Sequence, residues 1–310
     1  MSLNVFLQAV NLGLLWSVMA LGVFITFRIL NFADLTVEGS FVLGAAIAAP
    51  LIVAGFPPIM ATMLALVFGA AAGLITGFLH TVLKIPPLLS GILTMTGLFS
   101  INLRIMGVAN INLGGSRVTT LMDQVSALFG GIPVRNASII VGVIAVAIVI
   151  LLLRLFFNTE LGYAIRATGD NEPMVRAQGV NTNKMKVLGL MAGNACVALS
   201  GALVAQTQGF ADVNMGVGTI VTGLAAVIIG EVIFRDKNNY RVFVSVVIGA
   251  ILFFIIRALV LSIPWMDAND FRLFTALMMA IALALPMFRN KFNIRLKKAA
   301  LGKEGGDEQC

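Results

Sequence analysis

The chain has 310 residues, of which 59% are hydrophobic and 11% charged, with a mean hydropathy of +0.99. That balance excludes an ordinary soluble domain. The formal net charge of +7 sits in the connections between long apolar runs, which points to a membrane-embedded chain rather than to a nucleic-acid partner.

A helix needs about 20 apolar residues to cross the hydrocarbon of a bilayer. In chain order, spans are expected near 5–27, 35–55, 58–83, 88–107, 137–157, 186–206, 217–234, 241–263 and 271–288. The expected fold is therefore an all-α polytopic membrane protein with about nine transmembrane helices, within a range of eight to ten. No Lys or Arg precedes the first run and the second follows at once, so the first run is expected to stay in the mature protein rather than act as a cleaved signal.

Cationic loops stay on the cytoplasmic side of an inserting chain. With nine alternating spans, one side collects Arg28, Lys84, Arg154, Arg166, Arg176, Lys184, Lys186, Arg235, Lys237, Arg241 and six tail cations, against Arg104, Arg117, Arg135 and Arg272 on the other. Arg257 falls inside a span, where its stem would snorkel outward. The asymmetry places the N-terminus outside, the C-terminus in the cytoplasm, an external loop at 108–136 and a cytoplasmic segment at 158–185. Cys196 lies in a span and Cys310 ends the tail, so no disulfide is expected.

Two polar interruptions resemble each other. "NFADLTVEGS" begins at Asn31, "GFADVNMGVG" begins at Gly209, and Phe-Ala-Asp recurs at an offset of 178 residues. Gly39, Ser40 and Gly44 answer to Gly218, Thr219 and Gly223 at an offset of 179. The charge count puts the two patches on opposite sides, as two halves of inverted topology would have them, with interrupted helices facing a cavity. Asp34 or Thr36 would cap a helix running on from Val37, and Asp212 or Asn214 would do so in the second half. The plainer reading is a polar turn with a helix cap in each place.

Asn31, Phe32, Asp34, Glu38, Ser40, Phe210, Asp212 and Asn214 are thus candidates for a solute path. Glu38 is costly at membrane depth unless it faces protein or water. Thr94, Thr96, Ser100 and Asn102 join the candidates because they stand in one apolar segment, where they line a polar passage or bond neighbouring helices. His80 is the single histidine, placed at the cytoplasmic end of the third span, so no histidine-based metal site is expected. A nucleophile-base constellation, a phosphate loop and a dinucleotide fingerprint are also absent from the sequence, and no catalytic residue is assigned.

The stretch "NTELGYAIRATGDNEPMVRAQGVNTNKMK" reads as two short helices. One is expected over Glu160 to Ala167. The other, over Asn171 to Ala177, opens with an Asn cap and Pro173 in its first turn, and closes at Gly179. It would offer Met174, Val175 and Ala177 for docking, with Glu172 and Arg176 beside them.

"LGYAIRATGDNEPMVRAQGVN" resembles the cytoplasmic loop of the branched-chain amino-acid and ribose type permeases of ATP-binding-cassette (ABC) importers. "LNFADLTVEGSFVLGA" looks like the same family's segment after its first span, and the likeness covers roughly residues 8 to 288. The chain carries Asp34 and Leu35 where amino-acid members often have His-Gly, and "DLTVEGS" is similar to a sugar-member motif, which leaves the substrate class open. Most of the sequence looks like the single-permease subgroup associated with aromatic or other hydrophobic amino acids.

The resemblance implies a permease domain over 1–288, including the coupling segment 158–185, followed by a basic cytoplasmic tail over 289–310. It implies no cofactor on this chain, ATP and Mg on a separate ABC ATPase, a solute-binding protein outside, and a second permease copy in a bacterial inner membrane. The ATPase would grip the segment carrying Arg166, Asn171, Glu172, Met174, Val175, Arg176, Ala177 and Gly179. An ion- or proton-coupled carrier using Asp34, Glu38 and Asp212 is the alternative. Sugars and nucleosides are alternative solutes, and a membrane enzyme or scaffold would need clustered groups that the sequence does not place.

Overall fold

The structure, a computed structural model, describes residues 3–115, 118–233 and 239–262, with the isolated positions 273 and 277. Apart from those two positions, the expected span at 271–288 and the tail at 289–310 lie outside the described residues, as do Arg117, Arg235 and Lys237.

Seven helices among the described residues are long and apolar enough to cross a membrane. The first is α1, Leu3–Val23, continued by a π-helical stretch, Phe24–Ile29. It is followed by α2, Thr36–Val53; α3, Pro58–Thr81; and α4, Pro87–Met106. A prolyl residue opens both α3 and α4, where its fixed φ suits the first turn and its missing N–H costs nothing. The connection to the next span holds a short strand β1, Asn110–Asn112, and a helix α5, Leu121–Leu128, whose start is fixed by reciprocal bonds between Thr120 and Asp123. Next come α6, Val134–Phe157; α7, Glu160–Asp170; α8, Glu172–Ala177; and α9, Thr182–Gln208. Strand β2, Phe210–Asp212, α10, Thr219–Ile233, and α11, Asn239–Leu261, complete the described chain.

The bundle is concentric. In α1, α2 and α9, 78% of the most apolar stretch is buried inside the chain, against 28% in α4 and α6, which turn their apolar faces outward. Helices can approach closely in a membrane where small residues remove side-chain bulk. A Cβ on Gly44 would collide with the Ala198 carbonyl, and one on Gly201 with the Phe41 carbonyl, so α2 and α9 touch backbone to backbone. The Trp16 ring packs on Phe41 and Phe254, at 4.8 and 5.4 Å between centroids, linking α1 with α2 and α11.

Two features go beyond the sequence reading. Within the run expected to span at 217–234, the described helix covers Thr219–Ile233, and residues 234–238 lie outside the described residues. Residues 213–218, ahead of that helix, are wound as turns. In addition, β1 and β2 form an antiparallel ribbon with Ile111 opposite Ala211 in an otherwise helical fold.

Candidate functional site: two polar turns and a terminal helix

The first polar turn follows from its residue types. Asn31 adopts a left-handed φ of 52°, which Asn tolerates better than most residues and which ends the π-helical stretch. Asp34 then accepts the Thr36 N–H at 2.9 Å through Oδ1, forming an Asx turn that starts α2. Leu35 occupies the cap position itself, so Asp34 serves the helix from one residue further out than a side-chain N-cap. Its Oδ2 accepts from Nδ2 of Asn194 at 2.7 Å, and Oδ1 of Asn194 accepts from Ser40 Oγ at 2.7 Å. All three side chains are buried, at 2%, 0% and 0% exposure, and they fasten the turn to the middle of α9.

The second turn repeats the device. Gly209 ends α9 with φ 76°, and Asp212 accepts the Asn214 N–H at 2.7 Å, an Asx turn in the same place relative to Phe-Ala-Asp. Its other oxygen accepts from Nδ2 of Asn110 at 3.2 Å across the ribbon. Helix α9, about 40 Å long for its 27 residues, separates the second turn from the α7–α8 end of the bundle. The first turn lies between that end and the middle of α9, and a Cβ on Gly169 of α7 would strike the Ile29 carbonyl just before it.

Glu38 joins the turns. Its Oε1 accepts the Gly218 N–H at 2.9 Å, and a Cβ on Gly216 would collide with its carbonyl oxygen. A carboxylate therefore stands at the N-terminus of α10, where unpaired N–H groups and the helix dipole favour negative charge. At the other end of α10, Glu231 accepts from Nε of Arg28 at 2.7 Å. That pair is far more solvent-accessible, with 62% of the Arg28 side chain exposed, and exposed pairs contribute about 1 kcal/mol or less.

The candidate path residues divide into two groups. Phe32, Asp34, Ser40, Thr94 and Asn102 are buried within the chain and hold helices together in this conformation. The Thr94 hydroxyl accepts from Thr76 at 3.0 Å, Thr76 lies 2.7 Å from Thr36, and Asn102 donates to the Gly39 carbonyl at 3.1 Å. Asn31, Thr96, Ser100, Phe210 and Asn214 are exposed on the single chain, with Glu38 and Asp212 partly so. The Thr96 hydroxyl is turned back to its own helix, on the Ile92 carbonyl.

The terminal helices form close to where the sequence put them. Asn171 caps α8 by accepting the Met174 N–H at 3.1 Å, and Gly179 follows with φ 85°. Met174, Arg176 and Ala177 face outward, and an open hollow beside the helix is lined by Glu172, Pro173, Arg176 and Ala177. Val175, expected on the docking face, is instead 4% exposed and anchors α8 from beneath, because a one-turn helix lying on the bundle must bury one side. Arg166 stacks over Phe157 at 5.0 Å, away from the α8 hollow. Glu172 accepts from Arg176 at 2.9 Å and Thr182 at 3.1 Å through one oxygen, and from Lys186 at 2.7 Å through the other. The bond from Lys186 is the main reason its carboxyl is held below the ordinary glutamate value of 4.5.

Sequence reasoning missed Asn194 and Gln206. Gln206 donates to Thr62 at 2.9 Å and accepts the Leu121 N–H at 3.0 Å, tying α9 to α3 and α5. Both stand inside an apolar run, and an amide at membrane depth is the signal that would have found them.

Together these features define a polytopic helical membrane protein whose spans are broken by two polar turns. Residues 5–283 match the family described as branched-chain amino acid transport system / permease component. The chain belongs to that family, and is accordingly a permease component of an ABC importer rather than a catalytic subunit. It is 41% identical over 286 residues to a tyrosine transport system permease protein of Clostridioides difficile, covering 92% of this chain and 91% of the relative. An uncharacterized protein of Rickettsia prowazekii is 33% identical over 287 residues, covering 91% and 98%. The ribose import permease protein of Escherichia coli is 28% identical over 199 residues, covering 64% of this chain and 60% of the relative.

Proposed function

We propose that this permease moves an amino acid with an aromatic or other hydrophobic side chain into the cytoplasm by alternating access, with tyrosine the first candidate. The observation that carries the reading is the 41% identity to a tyrosine transport system permease along 92% of the chain. Two copies would enclose the path, a cytoplasmic ATPase carrying ATP and Mg would dock on α8, and a solute-binding protein would deliver cargo from outside. The exposed face of Met174, Arg176 and Ala177 supports docking. The matching Asx turns at Asp34, held at the middle of α9, and at Asp212, just past its C-terminal end, support two halves of inverted topology, with the N-terminus outside and the C-terminus in the cytoplasm. Asn31, Glu38, Thr96, Ser100, Phe210, Asp212 and Asn214 are the path residues within reach of a solute.

Purification from native membranes followed by reconstitution tests the reading. A stoichiometric ATPase should accompany the permease, and labelled tyrosine should enter vesicles only with ATP. Full uptake driven by an ion gradient with no ATPase present would transfer the protein to the carrier class, with Asp34, Glu38 and Asp212 as the groups to test. ATP-driven uptake of ribose or a nucleoside in place of amino acids would overturn the solute alone.

A further inference from the structure

We propose that His80 and Lys186 are positioning residues that carry movement of α8 to the first polar turn. The proposal rests on the reading of α8 as the place where an ATPase docks.

Lys186 of α9 is largely buried, with 16% of its side chain exposed, and reaches both α8 and the end of α3. Its ammonium donates to Glu172 Oε2 at 2.7 Å and stands 3.5 Å from Nε2 of His80. The other ring nitrogen of His80 lies 2.8 Å from the Ile85 carbonyl oxygen, which can only accept. Nδ1 must therefore carry the hydrogen, and Nε2 presents its lone pair to Lys186. The imidazole also meets Phe32 edge to face, with ring centroids 5.1 Å apart and planes at 77°.

Phe32 is 3% exposed, donates its own N–H to the Thr26 carbonyl at 2.9 Å, and is two residues from Asp34. The chain Glu172, Lys186, His80, Phe32 thus connects the proposed docking helix to the turn that Asn194 and Ser40 hold, and each member has a fixed partner on both sides. The covalent link from α8 to α9 is a poorer transmitter, since it passes through the exposed Gly179. Glu172 is saturated by Arg176, Thr182 and Lys186, so α8 cannot shift without pulling on the ammonium.

The test reads the turn directly. In the full chain with Cys196 and Cys310 replaced by alanine, Ala33→Cys places a thiol at an exposed position between Phe32 and Asp34. Its rate of reaction with a permeant maleimide is compared, in the reconstituted complex with the ATPase, with and without ATP and Mg. The parent is expected to show a nucleotide-dependent rate. His80→Leu and Lys186→Met should each lose that dependence at equal membrane amounts while the ATPase stays bound. His80→Gln should restore it, because its amide can donate to Ile85 and accept from Lys186.

Met174→Asp, on the outer face of α8 and outside the chain of contacts, separates the two readings. If it abolishes the dependence while His80→Leu and Lys186→Met retain it, docking stands and the relay is overturned. Movement would then arrive through α7, whose Gly169 lies against the Ile29 carbonyl. If the parent itself shows no nucleotide dependence and no ATPase binds, docking fails and the relay with it.

Discussion

Asn194→Ala is the sharpest test of the packing argument. It removes, at a fully buried position, both the donor to Asp34 Oδ2 and the acceptor of Ser40 Oγ. A buried polar atom left unpaired costs about 1–3 kcal/mol in a soluble core. Interhelical hydrogen bonds in membranes average about 0.6 and reach about 1.7 kcal/mol, because the reference state in the bilayer also finds partners. Two such bonds at that average give about 1.2 kcal/mol. For a chain of this size each kcal/mol moves the midpoint by about 2 °C, so a fall of about 2 °C is expected. The assay is thermal loss of the monodisperse peak of a fluorescent fusion in detergent. Asp34→Ala should be non-additive with Asn194→Ala, since both delete the same bond. A single variant indistinguishable from the parent, or strict additivity, would refute the claim that this cluster holds the turn to α9.

Gly44→Val should abolish the folded, monodisperse permease, because its side chain would enter the Ala198 backbone, whereas Gly97→Ala, which meets nothing within 4 Å, should express like the parent. Glu38→Gln keeps an oxygen to accept the Gly218 N–H and should preserve amide protection across residues 213–218, while Glu38→Leu should lose it in hydrogen exchange. A carrier coupled through that carboxylate would instead lose uptake in the Gln variant. Glu172 is depressed in the folded chain, so its contribution to α8 is complete above the ordinary value of 4.5 and is lost as pH falls through the lower folded value. A spin label at Met174→Cys, followed from about pH 6 to about pH 3, should stay immobile until below that ordinary value. Loosening above it, or the same profile in Lys186→Met, would contradict the assignment.

The spans were legible because an apolar run of some twenty residues has almost no alternative fate in a bilayer. Pro173, Asn171 and Gly179 likewise announced α8, since a cap, a first-turn proline and a left-handed glycine act locally. Their reach is also their limit: the same stretch did not show that Val175 turns inward, because which side of a short helix is buried depends on what lies beneath it. The repeated Phe-Ala-Asp marked both polar turns, yet the partner of Glu38 is Gly218, 180 residues away, and a backbone N–H leaves no trace in composition. The start of the run at 217–234 was legible, since the helix opens at Thr219, and Asn214, Gly216 and Gly218 are the residue types that wind the stretch before it as turns.

The turns over residues 213–218 have a consequence for how the permease can vary. Their amides are met by the Ala109, Asp212 and Asn214 carbonyls and by the Asp212 and Glu38 carboxylates rather than by a helical ladder. Two acidic side chains, one of them far away in the sequence, therefore hold this stretch of main chain. A substitution at either one would reshape the segment from a distance, whereas changes at the exposed Asn214 and Val217 would alter only what it presents to its surroundings.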